Sequence, residues 1–96
     1  MTNIEIAAVF YDIAVLLKAK KENIFKIRAY EKAARSIEES PVTMKELSED
    51  GRLKDLSGVG EAIEKKIMEL VNTGKLVFYE KLRTSLPDPI SANKKV

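Results

Sequence analysis

Cysteine and histidine are both missing from these 96 residues. Without cysteine there is no disulfide framework, no thiolate nucleophile and no zinc–thiolate site. Without histidine there is no imidazole metal ligand, no Ser-His or Cys-His pair, and no residue that usually serves as general base. No apolar run reaches the ~20 residues that a membrane-spanning helix needs. The N-terminus lacks the basic-then-apolar order of a signal peptide, so the expectation is a cytoplasmic protein with no membrane partner. No stretch shows the period-two alternation of a strand, which leaves an all-α domain. Glycine is scarce, with four in the chain.

What is present fits one compact domain. Charged residues make up 33% and hydrophobic ones 45%, a balance that supports a folded core. The net charge of +2 is a mild bias, so its distribution matters more than its size. Lys18, Lys20, Lys21, Lys26, Arg28, Lys32 and Arg35 gather in one part of the chain and Lys65, Lys66 and Lys75 in another. Acids are interleaved with them, as on an ordinary solvated surface.

Thr2-Asn3-Ile4-Glu5 is a capping-box pattern and predicts a helix start. Ile6, Val9, Phe10, Ile13, Leu16 and Leu17 follow at helical spacing, and fraying is expected near Lys20 to Glu22. Asn23 is placed to cap a second helix holding Phe25 to Ile37, with Ala29, Tyr30, Ala33, Ala34 and Ile37 as its apolar positions. Pro41 ends it. Thr43-Met44-Lys45-Glu46 repeats the capping pattern and predicts a short third helix to about Ser48, with Leu47 inward and a turn at Asp50-Gly51. Leu53 and Leu56 are the next apolar anchors. A fourth helix is expected from Glu61 to Asn72, with Ile63, Ile67, Leu70 and Val71 on one face and Gly74 just past its end. A last helix is expected from Leu76 to Thr84, carrying Val77, Phe78, Tyr79 and Leu82 and stopped by Leu86-Pro87. The domain therefore covers residues 1–87, a small bundle of four to five helices, with 88–96 expected to be a disordered tail.

Two glycines stand together at Leu56-Ser57-Gly58-Val59-Gly60-Glu61. A glycine turn that opens into a helix leaves N–H groups without intrahelical partners, at the positive end of the helix dipole. Such a turn suits a phosphate. It equally suits a close helix–helix connection.

Leu56-Ser57-Gly58-Val59-Gly60, followed by Ile63, Lys66, Ile67 and Thr73-Gly74-Lys75-Leu76, resembles the helix-hairpin-helix of family X DNA polymerases. Upstream, Asn23-Ile24-Phe25-Lys26-Ile27-Arg28-Ala29-Tyr30-Glu31-Lys32-Ala33-Ala34 resembles the second helix of the same polymerase beta-like N-terminal domain. The two segments come in the family's order and separation, and the likeness runs over about residues 3–86.

The resemblance implies a sequence-nonspecific domain for single-stranded or gapped DNA that grips a 5′-phosphate and serves DNA repair. By residue matching, the contacts would come from Phe25, Lys26, Tyr30, Lys32, Gly58, Val59, Gly60, Lys65, Lys66 and Lys75. A sodium or potassium ion would sit on the carbonyls of Lys54, Leu56 and Val59, and no other cofactor is implied. Lys66 matches the Schiff-base lysine of a 5′-deoxyribose-phosphate lyase; as an ordinary residue it would be a boundary lysine reaching for water. The supporting lysine of the family corresponds to Ala62 here, and the acid before the catalytic lysine to Lys65. Glu61, Glu64 and Glu69 are the nearby carboxylates that remain. Phe25, where the family has a base-stacking histidine, either stacks a base or fills core. Tyr30 either approaches the 5′-phosphate or packs inside.

No carboxylate cluster of the kind that holds two catalytic metal ions is recognisable, so no polymerase active site is expected in this stretch. If the chain acts as a separate subunit, a polymerase or nuclease polypeptide is the expected partner. Three readings follow: a DNA-binding module, a lyase using Lys66, or a helical protein-interaction domain whose glycine hairpin is only structural.

Overall fold

The computed structural model describes residues 1–85. The expected stop at Leu86-Pro87, the boundary at 87 and the tail 88–96 lie outside them. The described chain is all-helical: α1 (Asn3–Ala19), α2 (Ile24–Glu39), α3 (Met44–Glu49), a turn of 3₁₀ helix (Leu53–Asp55), α4 (Glu61–Thr73) and α5 (Val77–Ser85).

Caps place the first three starts. Thr2 and Glu5 form a reciprocal box: the Glu5 N–H donates to Thr2 Oγ1 at 3.1 Å, and the Thr2 N–H donates to Glu5 Oε1 at 2.8 Å. Asn23 accepts the Phe25 N–H at 2.8 Å, and Thr43 accepts the Glu46 N–H at 3.1 Å. The end of α1 is tighter than the fraying expected there. Lys21 adopts φ 59°, its N–H donates to the Lys18 carbonyl, and the Glu22 N–H donates to that of Leu17. This is a Schellman closure with lysine in the left-handed position. The end of α3 closes the same way around Gly51 at φ 67°, with Gly51 bonded to Ser48 and Arg52 to Leu47.

The antiparallel pair α1–α2 is the platform. Ile6, Phe10, Ile13 and Leu17 from α1 meet Ile27, Tyr30, Ala33, Ala34 and Ile37 from α2. Full burial of each large side chain contributes roughly 1.5–3 kcal/mol. Ala33 and Ala34 of α2, with Ala7 and Ala14 of α1, let the backbones approach. Ile27 is buried and Ala29 exposed, the reverse of the expected pattern. Ile27, three before Tyr30 and seven before Ala34, lies at the centre of the stripe, whereas Ala29 falls at its margin. Asn3 ties the open end of the pair: its side chain accepts the Met44 N–H at 2.9 Å and donates to the Val42 carbonyl at 3.0 Å.

The second half rests on that platform. Met44, Leu47 and Leu53 join Val59, Ile63, Ile67 and Leu70 in the same core, and α3 packs against α4. Leu56 and Val71 are partly buried and Val77 is exposed. Helix α5 returns to α1, where the Tyr79 hydroxyl donates to Asp12. The outer side of α1 stays apolar, with Ile4 72% and Val15 61% exposed. No described helix is long and apolar enough to cross a membrane.

Candidate nucleic-acid interface

The glycine turn is anchored by one side chain and open on either side of it. Val59 is 6% exposed and belongs to the core, while Gly58 and Gly60 are exposed. Gly58 holds φ 82°, a conformation that favours glycine over any residue with a Cβ. The Val59 N–H donates to the Leu56 carbonyl at 3.2 Å, so the turn itself uses this amide. Gly60 is the N-cap of α4 and supplies no side-chain acceptor. The first-turn N–H groups of α4 therefore lack a side-chain cap, at the positive end of the helix. Glu61 and Glu64 lie in the same first turn; Glu61 pairs with Lys65 at 3.7 Å and Glu64 with Lys54 at 3.9 Å.

Helix α2 is fastened to this turn. Ser36 Oγ donates to the Ser57 carbonyl at 2.6 Å. A Cβ on Gly58 would stand 2.9 Å from Lys32 Cγ, so the lysine stem lies directly on the glycine. The contact carries Lys32 to the lip of the turn. Phe25, at the start of α2, is 74% exposed, and its ring is not part of the core. Lys26 from α2 and Lys66 from α4 are near enough that the Lys26 charge is felt at Lys66.

Lys66 lies in an open groove lined by Glu61, Ala62, Lys65, Glu69, Leu76 and Phe78. Its ammonium stands 4.8 Å from the centre of the Phe78 ring. Partial burial, then the Lys26 cation, hold its pKa below the ordinary lysine value, and Glu69 opposes them. Glu69 has a second task, because its Oε2 accepts the Val77 N–H at 2.7 Å and caps α5.

Two of the matched residues stand apart from this cluster. Tyr30 is 6% exposed and stacked between Phe10 and Phe78, with ring centres 5.9 and 6.0 Å away; its ring fills core. Lys75 follows the left-handed Gly74, at the far end of α4, about 20 Å from the hairpin at 1.5 Å per residue. The Glu69 cap on α5 and the Lys32–Gly58 contact had no local signal, since each joins residues on different elements. The Lys54 carbonyl belongs to the 3₁₀ helix, and those of Leu56 and Val59 to the glycine turn that follows it. Leu56 accepts the Val59 amide, and among the described residues the Lys54 and Val59 carbonyls accept no backbone hydrogen bond outside a helix. Among the described residues no group of three or more carboxylates could hold a metal ion.

A turn of two glycines pinned by one buried valine between helical arms is a helix-hairpin-helix, and the family model described as "Helix-hairpin-helix domain" matches residues 1–76. This chain belongs to that family. Over 76 residues it is also 32% identical to the DNA polymerase/3′-5′ exonuclease PolX of Bacillus subtilis (strain 168), a match that covers 79% of this chain. It covers 13% of that relative. The family X resemblance of the hairpin and of α2 thus coincides with a measured similarity that takes in both segments. A helix-hairpin-helix domain in a polymerase-like setting is a DNA-binding element.

Proposed function

We propose that this domain binds single-stranded or gapped DNA without regard to sequence, holding a strand and its 5′-phosphate at the glycine turn, and that it serves DNA repair. The observation that carries the reading is the meeting of the open glycine turn with Lys32, laid across Gly58. Backbone N–H groups and lysines contact phosphates, which are the same in every sequence, and so position a strand without reading it. Phe25 offers a ring on which a base of any identity can stack. A sodium or potassium ion on the Lys54, Leu56 and Val59 carbonyls would add positive charge beneath the phosphate. Within a longer protein or an assembly, the polypeptide served would be a polymerase or nuclease.

The test is an NMR titration with 5′-phosphorylated single-stranded DNA and with gapped duplex at low salt. The expected result is movement of the Gly58, Gly60, Lys26 and Phe25 amides, with binding that weakens steeply as salt rises. Hairpin amides that stay still while other regions shift would overturn the phosphate assignment. No binding at all would leave the protein-interaction reading.

The environment of Lys66 favours a second reading, a 5′-deoxyribose-phosphate lyase. Its amine is half-buried with a lowered pKa, which raises the neutral, nucleophilic fraction. The neutral amine would add to the sugar aldehyde with loss of water, and β-elimination from the imine would release the phosphate. Ala62 carries no amine where the family has its supporting lysine, and Lys65 is no carboxylate base; Glu61 and Glu69, on the same groove, are the carboxylates that would take the proton. Borohydride trapping on an incised abasic site gives a covalent adduct lost in Lys66→Ala if this reading is right. DNA binding with no adduct rejects it.

A further inference from the structure

Arg28, Lys32 and Arg35 line a shallow depression on the outward side of α2, with Glu31 at its edge. Their spacing of four and then three residues stacks them on one stripe of the helix. Phe25 begins the same stripe one turn earlier and is 74% exposed. None of the three cations joins an ion pair among the described residues. Arg52, Lys54, Lys65 and Arg83 are matched with carboxylates, and the distinction of the row is that its unpaired cations stand in succession on one helix stripe. The row is also continuous with the hairpin, because the Lys32 stem rests on Gly58. From Arg28 to Arg35 the helix rises ~10.5 Å, long enough for the row to meet more than one phosphate of a strand. Glu31 borders the stripe, and at its C-terminal end Arg35 shares the neighbourhood of Tyr11 of α1 with Glu38 and Glu39, so acids mark the edge and the end of the cationic strip.

We propose that this row is a second phosphate-binding track, which takes the successive phosphodiesters of the DNA strand as it leaves the glycine turn. Phe25 stacks a base at its far end. Arg28 and Arg35 supply the contacts that the hairpin and Lys32 alone do not. The inference rests on the DNA-binding reading and extends it from a single gripped phosphate to a tracked strand. Each cation contacts a phosphate and contributes to affinity without contributing to sequence choice.

The experiment is fluorescence anisotropy of the full chain with 5′-phosphorylated oligothymidylates of increasing length, across a salt series. The variants are Arg28→Gln with Arg35→Gln, Arg28→Gln alone, and a control of equal charge loss, Lys18→Gln with Lys45→Gln. Each released single-strand contact is worth about 0.7 in the slope of log K against log salt. The double variant should therefore lose ~1.4 in slope, the single variant about half of that, and the control nothing. The gain in affinity with oligonucleotide length should also vanish in the double variant. An unchanged slope and length dependence in a DNA-binding double variant overturns the track and leaves the hairpin reading standing. So does an equal loss in the control. A wild-type chain that binds no oligonucleotide overturns the hairpin reading, and the track with it.

Discussion

Lys32 and Gly58 are in contact across two elements: a Cβ on the glycine would meet the lysine Cγ at 2.9 Å and Cδ at 3.1 Å. The same glycine holds φ 82°. Gly58→Ala should therefore destabilise the fold by about 1–2 kcal/mol from the left-handed backbone alone. At about 4–8 °C per kcal/mol for a domain of this size, thermal melting will show it. Gly60 gives the opposite outcome. It is extended, with open space where a Cβ would go, and Gly60→Ser supplies the N-cap oxygen that α4 lacks. Stability should hold or rise by a few tenths of a kcal/mol. DNA binding should fall, because a side chain would stand over the free amides.

The closures of α1 and α3 provide an internal comparison. Gly51 and Lys21 occupy the same left-handed position, at φ 67° and 59°, and only one of them is glycine. Lysine there costs roughly 1 kcal/mol, so Lys21→Gly should raise the melting temperature by several degrees. An unchanged or lower melting point would mean that the lysine makes a compensating contact.

Most of the helical framework was legible because its signals are local. Thr2, Asn23 and Thr43 each cap within three residues, and the period of Ile6, Phe10, Ile13 and Leu17 marks one face. Gly74 closes α4 where a left-handed residue is needed, at φ 74°. What the sequence did not reveal is tertiary. Asn3 bridging to Val42 and Met44, Glu69 capping Val77, and Tyr30 held between Phe10 and Phe78 all join distant segments. The hairpin was visible as two glycines. Its orientation, Val59 inward and glycines outward, depends on a core contributed by the other helices. The exposure of Phe25 was open for the same reason: its position at the head of α2 suits either core or surface, and only the assembled fold decides.

Phe25→Ala should separate binding from stability. The ring is 74% exposed, so the melting temperature should move by no more than a degree or two. Loss of a base–aromatic stack is worth about 1–3 kcal/mol, and single-strand affinity should fall on the order of tenfold or more. Equal affinity in both proteins would remove Phe25 from the interface.

Tyr79 should make stability sensitive to high pH. Burial first, then its hydrogen bond to Asp12, push its pKa up from 10.0 to about 12. The unfolded chain loses this proton near pH 10 and the folded chain near 12, so between them the unfolded state binds fewer protons. Stability then falls as pH rises through that window. Burial raises the Tyr30 pKa in the same direction. Tyr79→Phe should flatten part of the decline and remove the highest-titrating phenol from the ultraviolet absorbance titration. A wild-type titration with every tyrosine near 10 would contradict the Asp12 contact.

Lys66 offers a test in which two neighbours act in opposite senses. Burial and the Lys26 cation lower its pKa, and the Glu69 carboxylate raises it. Lys26→Gln removes a like charge, so the Lys66 pKa should move back up towards the ordinary lysine value. Glu69→Gln removes the opposing carboxylate while keeping an oxygen for the Val77 N–H, so the pKa should move further down. An NMR titration of the Lys66 side chain reads both shifts directly. If the amine is a nucleophile, the midpoint of borohydride trapping against pH must follow: to higher pH in Lys26→Gln, to lower pH in Glu69→Gln. DNA contact alone predicts something different, because Lys26→Gln would then weaken binding with no change in any trapping midpoint. Shifts in the titration without a parallel shift in trapping would mean that another amine forms the adduct, and Lys66 would be left as a phosphate ligand.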